Sequence, residues 1–342
     1  MRNTKSSSRQ LRKTVVIVAM PGSRLLDIAG PGDVFSMASA ILNNMTGMDA
    51  GGYKIVVASA VKAKHIVTAS GMKISCDIRL TDIDFPVDTL LIGGAYFEMP
   101  DKISSVFYSW LRANNSIIRR MGSVCVGAFI LAKAGLLDHK RATTHWEYCT
   151  QLQADYPLVK VDSSQFFVKD GKMYTSGGIT SGMDLALALV EEDLGRAIAL
   201  QVARKLVLPL RRAGNQLQFG NLLLPYELKS PLVRAIRQWV LVNLDKAIRV
   251  EQMAAEENMS PRNFARVFLK ETGLTPAKFV EKIRIEVARQ HLEDSTLSME
   301  QIAERCGLGN PVSMRRVFLR HLQISPGFYR NAFWTSLARE LA

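Results

Sequence analysis

A chain of 342 residues, 48% hydrophobic and 22% charged, has the composition of a soluble globular protein and length enough for two domains with a core each. No run approaches eighteen uninterrupted apolar residues, and the polar, basic start (residues 1–13) has no apolar signal core, so the expectation is a cytoplasmic protein with no membrane contact. Its four cysteines (Cys76, Cys125, Cys149 and Cys306) lack metal-ligand spacing, which speaks against a disulfide framework and leaves no metal or cofactor to expect.

The net charge of +13 fits a nucleic-acid partner but does not place one. From Glu227 onward, 18 bases face 13 acids, an excess of only five. Most of the remainder sits at the start, in Arg2, Lys5, Arg9, Arg12 and Lys13.

In chain order, residues 1–13 read as a basic tail expected to be disordered. Residues 14–208 then alternate strand and helix. Apolar runs at 14–20, 53–59, 88–92 and 121–125 are strand-like, and each of the first, third and fourth ends near glycine. Helical patterns occupy 103–114 and 128–134, a hairpin turns at Asp170-Gly171, and a long amphipathic stretch at 182–207 closes the domain. This pattern predicts an α/β fold, a mostly parallel, flavodoxin-like sheet covered by helices on both faces. Residues 209–230, broken by Pro209, Gly214, Asn215 and Pro225, read as a linker. An all-α domain is expected at 231–334, followed by a short tail at 335–342.

The helical part repeats itself. Met253-Ala254 recurs as Ile302-Ala303, Arg266-Val267-Phe268 as Arg316-Val317-Phe318, and Thr275-Pro276 as Ser325-Pro326, with offsets of 49 and then 50. Each copy has the parts of a helix-turn-helix. In the first, a helix over 250–257 turns at Asn258-Met259, and Ser260-Pro261 caps and opens a second helix to about residue 271. In the second, Ser298 caps a helix, Gly307 turns, and the recognition helix begins near Pro311. Arginine and asparagine bond guanine and adenine edges bidentately. Ser260, Arg262, Asn263 and Arg266, with Asn310, Ser313, Arg315 and Arg316, therefore form the candidate face for double-stranded promoter DNA. A helix over 278–292 would set the two recognition helices about one DNA turn, roughly 34 Å, apart.

Residues 230–334 resemble the AraC/XylS family of DNA-binding domains, through Gly273-Leu274-Thr275-Pro276, Ile302-Ala303…Gly307 and Ser325-Pro326…Tyr329-Arg330. Leu308 and Met314 stand where that family usually has aromatics, and both are expected to pack. The first domain carries Gly122-Ser123-Val124-Cys125-Val126-Gly127, a cysteine between strand and helix, where a helix N-terminus would favour the thiolate. With Leu25…Pro31, Gly93-Gly94 and Ala142-Thr143-Thr144-His145-Trp146, it is similar to the PfpI/ThiJ superfamily, related to class I glutamine amidotransferases. Nearly the whole chain, omitting only the basic tail and parts of the linker, resembles the GlxA family of regulators.

Asp27, Gly94, Tyr96, Cys125, His145 and Trp146 are the candidate ligand-binding residues, at strand ends that converge on one crevice. A catalytic reading would use Cys125 with Asp27 and His145, as a cysteine-dependent hydrolase or hydratase fused to a DNA-binding module. Against it, peptidase-like members of the superfamily have histidine where Val126 stands, and many catalytic members have glutamate where Asp27 stands. The preferred reading is not an enzyme but a transcription regulator. Its first domain would sense a small amine or amino-acid-like effector or form a homodimer, with RNA polymerase as a partner if it activates.

Overall fold

The computed structural model describes residues 12–46, 51–95, 103–220 and 230–333. The chain divides into two compact units, residues 1–212 and 213–342. The basic tail before Arg12, Tyr96 and the tail after residue 333 lie outside the described residues.

In the first unit the order is β1 (Lys13–Ala19), α1 (Leu25–Thr46), β2 (Tyr53–Ser59), β3 (His65–Val67), β4 (Lys73–Ser75), β5 (Ile78–Arg79), β6 (Thr89–Ile92) and α2 (Ser105–Asn114). There follow β7 (Arg120–Ser123), α3 (Ala128–Lys133), β8 (Arg141–Ala142), α4 (Cys149–Asp155), β9 (Lys160–Val161), β10 (Phe167–Asp170), β11 (Met173–Ser176), α5 (Ser181–Leu194) and α6 (Arg196–Lys205). Seven strands form one sheet in the order β10-β11-β7-β6-β1-β2-β5, parallel throughout except for the β10–β11 hairpin. Without the hairpin arm β10 and the two-residue edge strand β5, the order β2-β1-β6-β7-β11 is the flavodoxin-like one.

Strand β1 shows why the sequence reads as an unbroken apolar run. Val16 and Val18 enter the core on one face of the sheet, while Val15, Ile17 and Ala19 enter the core on the other. Helix α1 is long and apolar enough by composition to cross a membrane. Here Ile28, Val34, Phe35 and Ile41 are buried in the core that α1 shares with β1, α5 and α6. The single amphipathic stretch expected at 182–207 is two helices. Gly195, at φ 84°, takes the left-handed conformation that ends α5 and starts α6.

The second unit is helical: α7 (Pro231–Val242), α8 (Val250–Glu256), α9 (Pro261–Thr272), α10 (Pro276–Asp294), α11 (Met299–Arg305), α12 (Pro311–Leu322) and α13 (Pro326–Phe333). Phe264, Phe268, Phe279, Phe318 and Tyr329 are fully buried in its core, and Leu308 and Met314 pack there too. The described part of the stretch read as a linker is built into the two units. Leu208 and Leu210 pack on the core of the first. Asn215 donates to the His321 carbonyl at 3.1 Å, and the Gln218 carbonyl accepts from Arg289 at 2.8 Å, within the second. The punctuating prolines and glycines signal irregular backbone, not freedom from the core.

Candidate functional site

The strand order reverses between β1 and β6, so the loops after these two strands diverge and leave a crevice at their C-terminal ends. It has a volume of about 180 Å3, with Arg24, Asp27, Gly94, Cys125, His145 and Tyr148 in its wall. Four of the expected ligand residues, Asp27, Gly94, Cys125 and His145, therefore meet there. Trp146 does not line it. That side chain is half-buried and lies over the His145 ring, with centroids 5.3 Å apart.

Asp27 lies in the first turn of α1 and is wholly buried. Its Oδ2 accepts from the Gly94 amide at 3.1 Å, while its Oδ1 is buried with no hydrogen-bond partner. Burial raises its carboxyl to about 7, against the lowering effects of the Gly94 amide and the Arg24 charge. Glycine is required at 94 because a Cβ there would sit 2.5 Å from Asp27 Oδ2 and 3.0 Å from Cys125 Cβ.

Cys125 follows the end of β7 at φ 57°, a left-handed conformation that is strained for a cysteine. Its amide donates to the Gly177 carbonyl at 3.0 Å, and its carbonyl accepts from Thr144 Oγ1 at 2.9 Å. These bonds hold the elbow. Its surroundings work against the thiolate that a position before a helix would favour. Burial pushes the thiol up to about 12, with the nearby Asp27 adding to the effect, and the amides of Val126 and Ile179 do not compensate. His145 is pushed down by burial, although Glu147 opposes this. Its Nδ1 accepts from the Glu147 amide at 3.3 Å. Burial disfavours the charged form of both the thiol and the acid, which suits a polar pocket better than a nucleophilic site.

Arg24, Glu147 and Tyr148 were missed as crevice residues by sequence reading. Arg24 stands just before α1, and the other two follow His145 in a short helical turn, where spacing alone cannot tell a wall residue from a solvated one.

In the second unit both turns use a residue in the left-handed conformation, Asn258 at φ 53° and Gly307 at φ 61°. Ser260 Oγ accepts from the Asn263 amide at 3.4 Å, and Asn310 Oδ1 accepts from the Ser313 amide at 2.9 Å. Both are therefore helix caps, placed at the open ends of α9 and α12. Arg262, Asn263, Arg266, Arg315 and Arg316 are exposed, and Ser313 is half-buried. Arg266 Nη2 donates to Asn263 Oδ1 at 2.9 Å, which fixes the two side chains together. Among the described residues no cluster of three or more His, Cys, Asp or Glu side chains could hold a metal ion.

An α/β unit with an elbow crevice, joined to a tandem helix-turn-helix, is the build of a helix-turn-helix transcriptional regulator. A model of the DJ-1/PfpI family matches residues 12–192, and a model described as a helix-turn-helix domain matches residues 253–332. The chain belongs to the DJ-1/PfpI family, with a DNA-binding domain of AraC type at its C-terminal end.

Curated relatives align over most of the chain. The HTH-type transcriptional regulator GbdR of Pseudomonas aeruginosa is 26% identical over 269 residues, 78% of this chain and 72% of its own. The HTH-type transcriptional regulator GlxA of Rhizobium meliloti is 27% identical over 266 residues, 78% of this chain and 81% of its own. Among solved structures, DJ-1beta of Drosophila melanogaster shares the fold of the first unit, with a TM-score of 0.50 and 22% identity over 58% of this chain and 100% of its own. With HTH-type transcriptional regulators aligned over most of its length, the chain is a transcription regulator.

Proposed function

We propose that this protein is a cytoplasmic transcription activator that binds promoter DNA through its second unit and a small amine or amino-acid-like effector in the crevice of its first. The observation that carries the effector reading is Asp27 Oδ1, an acid oxygen buried without a partner in the crevice wall. An ammonium group would supply the missing donor and favour the ionised carboxylate. Arg24 and Glu147, of opposite charge in the same wall, suit a ligand that carries both signs, as an amino acid does. Arg262, Asn263, Arg266, Arg315 and Arg316 meet the DNA, with Ser260 and Asn310 setting the helix ends and Ser313 beside them. The protein acts as a homodimer and contacts RNA polymerase when it activates.

A thermal-shift series on the full chain against small amines and amino acids tests the effector half, because only a binder of the folded state raises the melting point. A positive shift that survives Cys125→Ala and disappears in Asp27→Ala supports the reading. No shift with any such compound would sink it.

A further inference from the structure

The two helix-turn-helix copies are alike in backbone and unlike in what they present. Both recognition helices open on a proline, behind a cap that accepts from the third helical residue. The register of 50 therefore pairs Arg262 with Val312, Asn263 with Ser313 and Arg266 with Arg316. Residues four apart share one face of a helix, so 262 with 266, and 312 with 316, point the same way from the first two turns. At 266 and 316 both copies keep an exposed arginine. At the second helical position they part: the first copy has a guanidinium, the second an isopropyl group that is 68% exposed.

A lone exposed valine is ordinary on a protein surface. This one stands where the N-terminal end of a recognition helix meets base edges, one turn from Arg316. It packs on no core, whereas Val317, five residues on, does. As a β-branched residue it does little for the helix either. The copies also differ beside it. Asn263 holds Arg266 through a 2.9 Å bond, but the shorter Ser313 replaces it in the second copy, and among the described residues nothing hydrogen-bonds Arg316.

In the major groove guanine offers two acceptors and adenine an acceptor and a donor, and the one apolar feature is the C5 methyl of thymine. We propose that Val312 is a specificity-determining residue that packs on a thymine methyl. The second recognition helix then reads thymine beside a guanine taken by Arg316, while the first reads purine edges through Arg262, Asn263 and Arg266. The two half-sites are unlike, although the protein repeat is regular. This rests on the DNA-binding reading given above.

The test begins by selecting binding sites for the full chain from random duplex DNA. Two unlike half-sites are expected, with a fixed thymine in the one assigned to the second helix by the Arg316→Ala protein. Replacing that thymine by deoxyuridine removes the methyl and nothing else. It should weaken wild-type binding about fourfold, the worth of one buried methyl-sized group. The Val312→Ser protein should bind both duplexes equally, and Val312→Arg should select guanine in place of thymine. Both substitutions are at an exposed position and leave the core intact. If deoxyuridine at every thymine of that half-site leaves wild-type affinity unchanged, or if Val312→Ser keeps the full discrimination, the proposal is wrong while the DNA-binding reading stands. Failure to select any site would overturn both.

Discussion

Arg212, the last residue of the first unit, forms an ion pair with Asp184 in the first turn of α5, with Nη2 3.0 Å from Oδ2. The same guanidinium donates to Thr180 Oγ1 at 3.0 Å and lies over the Phe166 ring, 5.1 Å from its centroid. Thr180 adjoins Ile179, which lines the crevice. The chain thus leaves the first unit fastened to the start of α5, one residue from the crevice wall. Arg212→Ala is predicted to cost about 2 kcal/mol, because the buried Asp184, already raised by burial, loses the cation that lowers it. The more telling outcome is functional. DNA affinity without effector should be retained, and the change on adding effector should shrink or vanish. Titrations of operator DNA with and without effector would show it, and a mutant with the full response would rule out this fastening as the route.

Asp27 gives stability a pH slope of known sign. Its folded carboxyl is raised to about 7, whereas in the unfolded chain it returns to the ordinary carboxylate range. Between those values the folded state holds a proton that the unfolded state releases. Its contribution is therefore fully present at low pH and is lost as pH rises through 7. Asp27→Asn, which can keep the bond from the Gly94 amide, should flatten that slope and raise stability at pH 8 by up to about 4 kcal/mol. Denaturant midpoints of both proteins across pH 5–8 decide the matter. The same ionisation should make a cationic effector bind more tightly as pH rises from 6 to 8, a dependence the Asn variant loses.

Periodicity and punctuation made both units legible, and the reasons are local. Strand β2 falls at residues 53–59 because its apolar run follows Gly51-Gly52 and gives way to Lys62 and Lys64 soon after its end. The helix-turn-helix pairs were readable because caps, turns and apolar positions repeat in phase. The hairpin β3–β4 was not, since three-residue strands leave no period to detect. At the crevice, glycine-terminated strands led to Asp27, Gly94 and Cys125. The ionisation of those groups was not legible, because burial decides it and burial is set by residues distant in the chain. Proximity in sequence also wrongly drew Trp146 into the pocket beside His145.

The cysteines should differ in reactivity by accessibility, not by the elbow. Cys76 is half-buried, while Cys125, Cys149 and Cys306 are buried, and burial raises all four thiols. Iodoacetamide at pH 8 is predicted to label Cys76 first in the native chain, with Cys125 protected until denaturant is added. Mass spectrometry of peptides from a time course checks this. Rapid labelling of Cys125 would return the thiolate, and with it the enzyme alternative, to consideration.

Arg289, in the middle of α10, ties the segment before α7 to the DNA-binding unit. It is 6% exposed, and its guanidinium donates to Tyr329 Oη at 2.9 Å, to the Gln218 and Gly220 carbonyls at 2.8 and 2.5 Å and to Glu286 at 3.1 Å. Arg289→Met keeps much of the packing volume but leaves two carbonyls, a phenol and a carboxylate without their shared donor. The expected loss is about 3 kcal/mol, confined to the second unit. Arg289→Lys should recover little, since an ammonium with three donors cannot meet four acceptors spread around a planar fork. Hydrogen exchange would localise the effect, with faster exchange at residues 215–220 and in α13 and no change in the α/β unit. Uniform exchange across both units would show that Arg289 supports the whole chain and does not specifically anchor this segment.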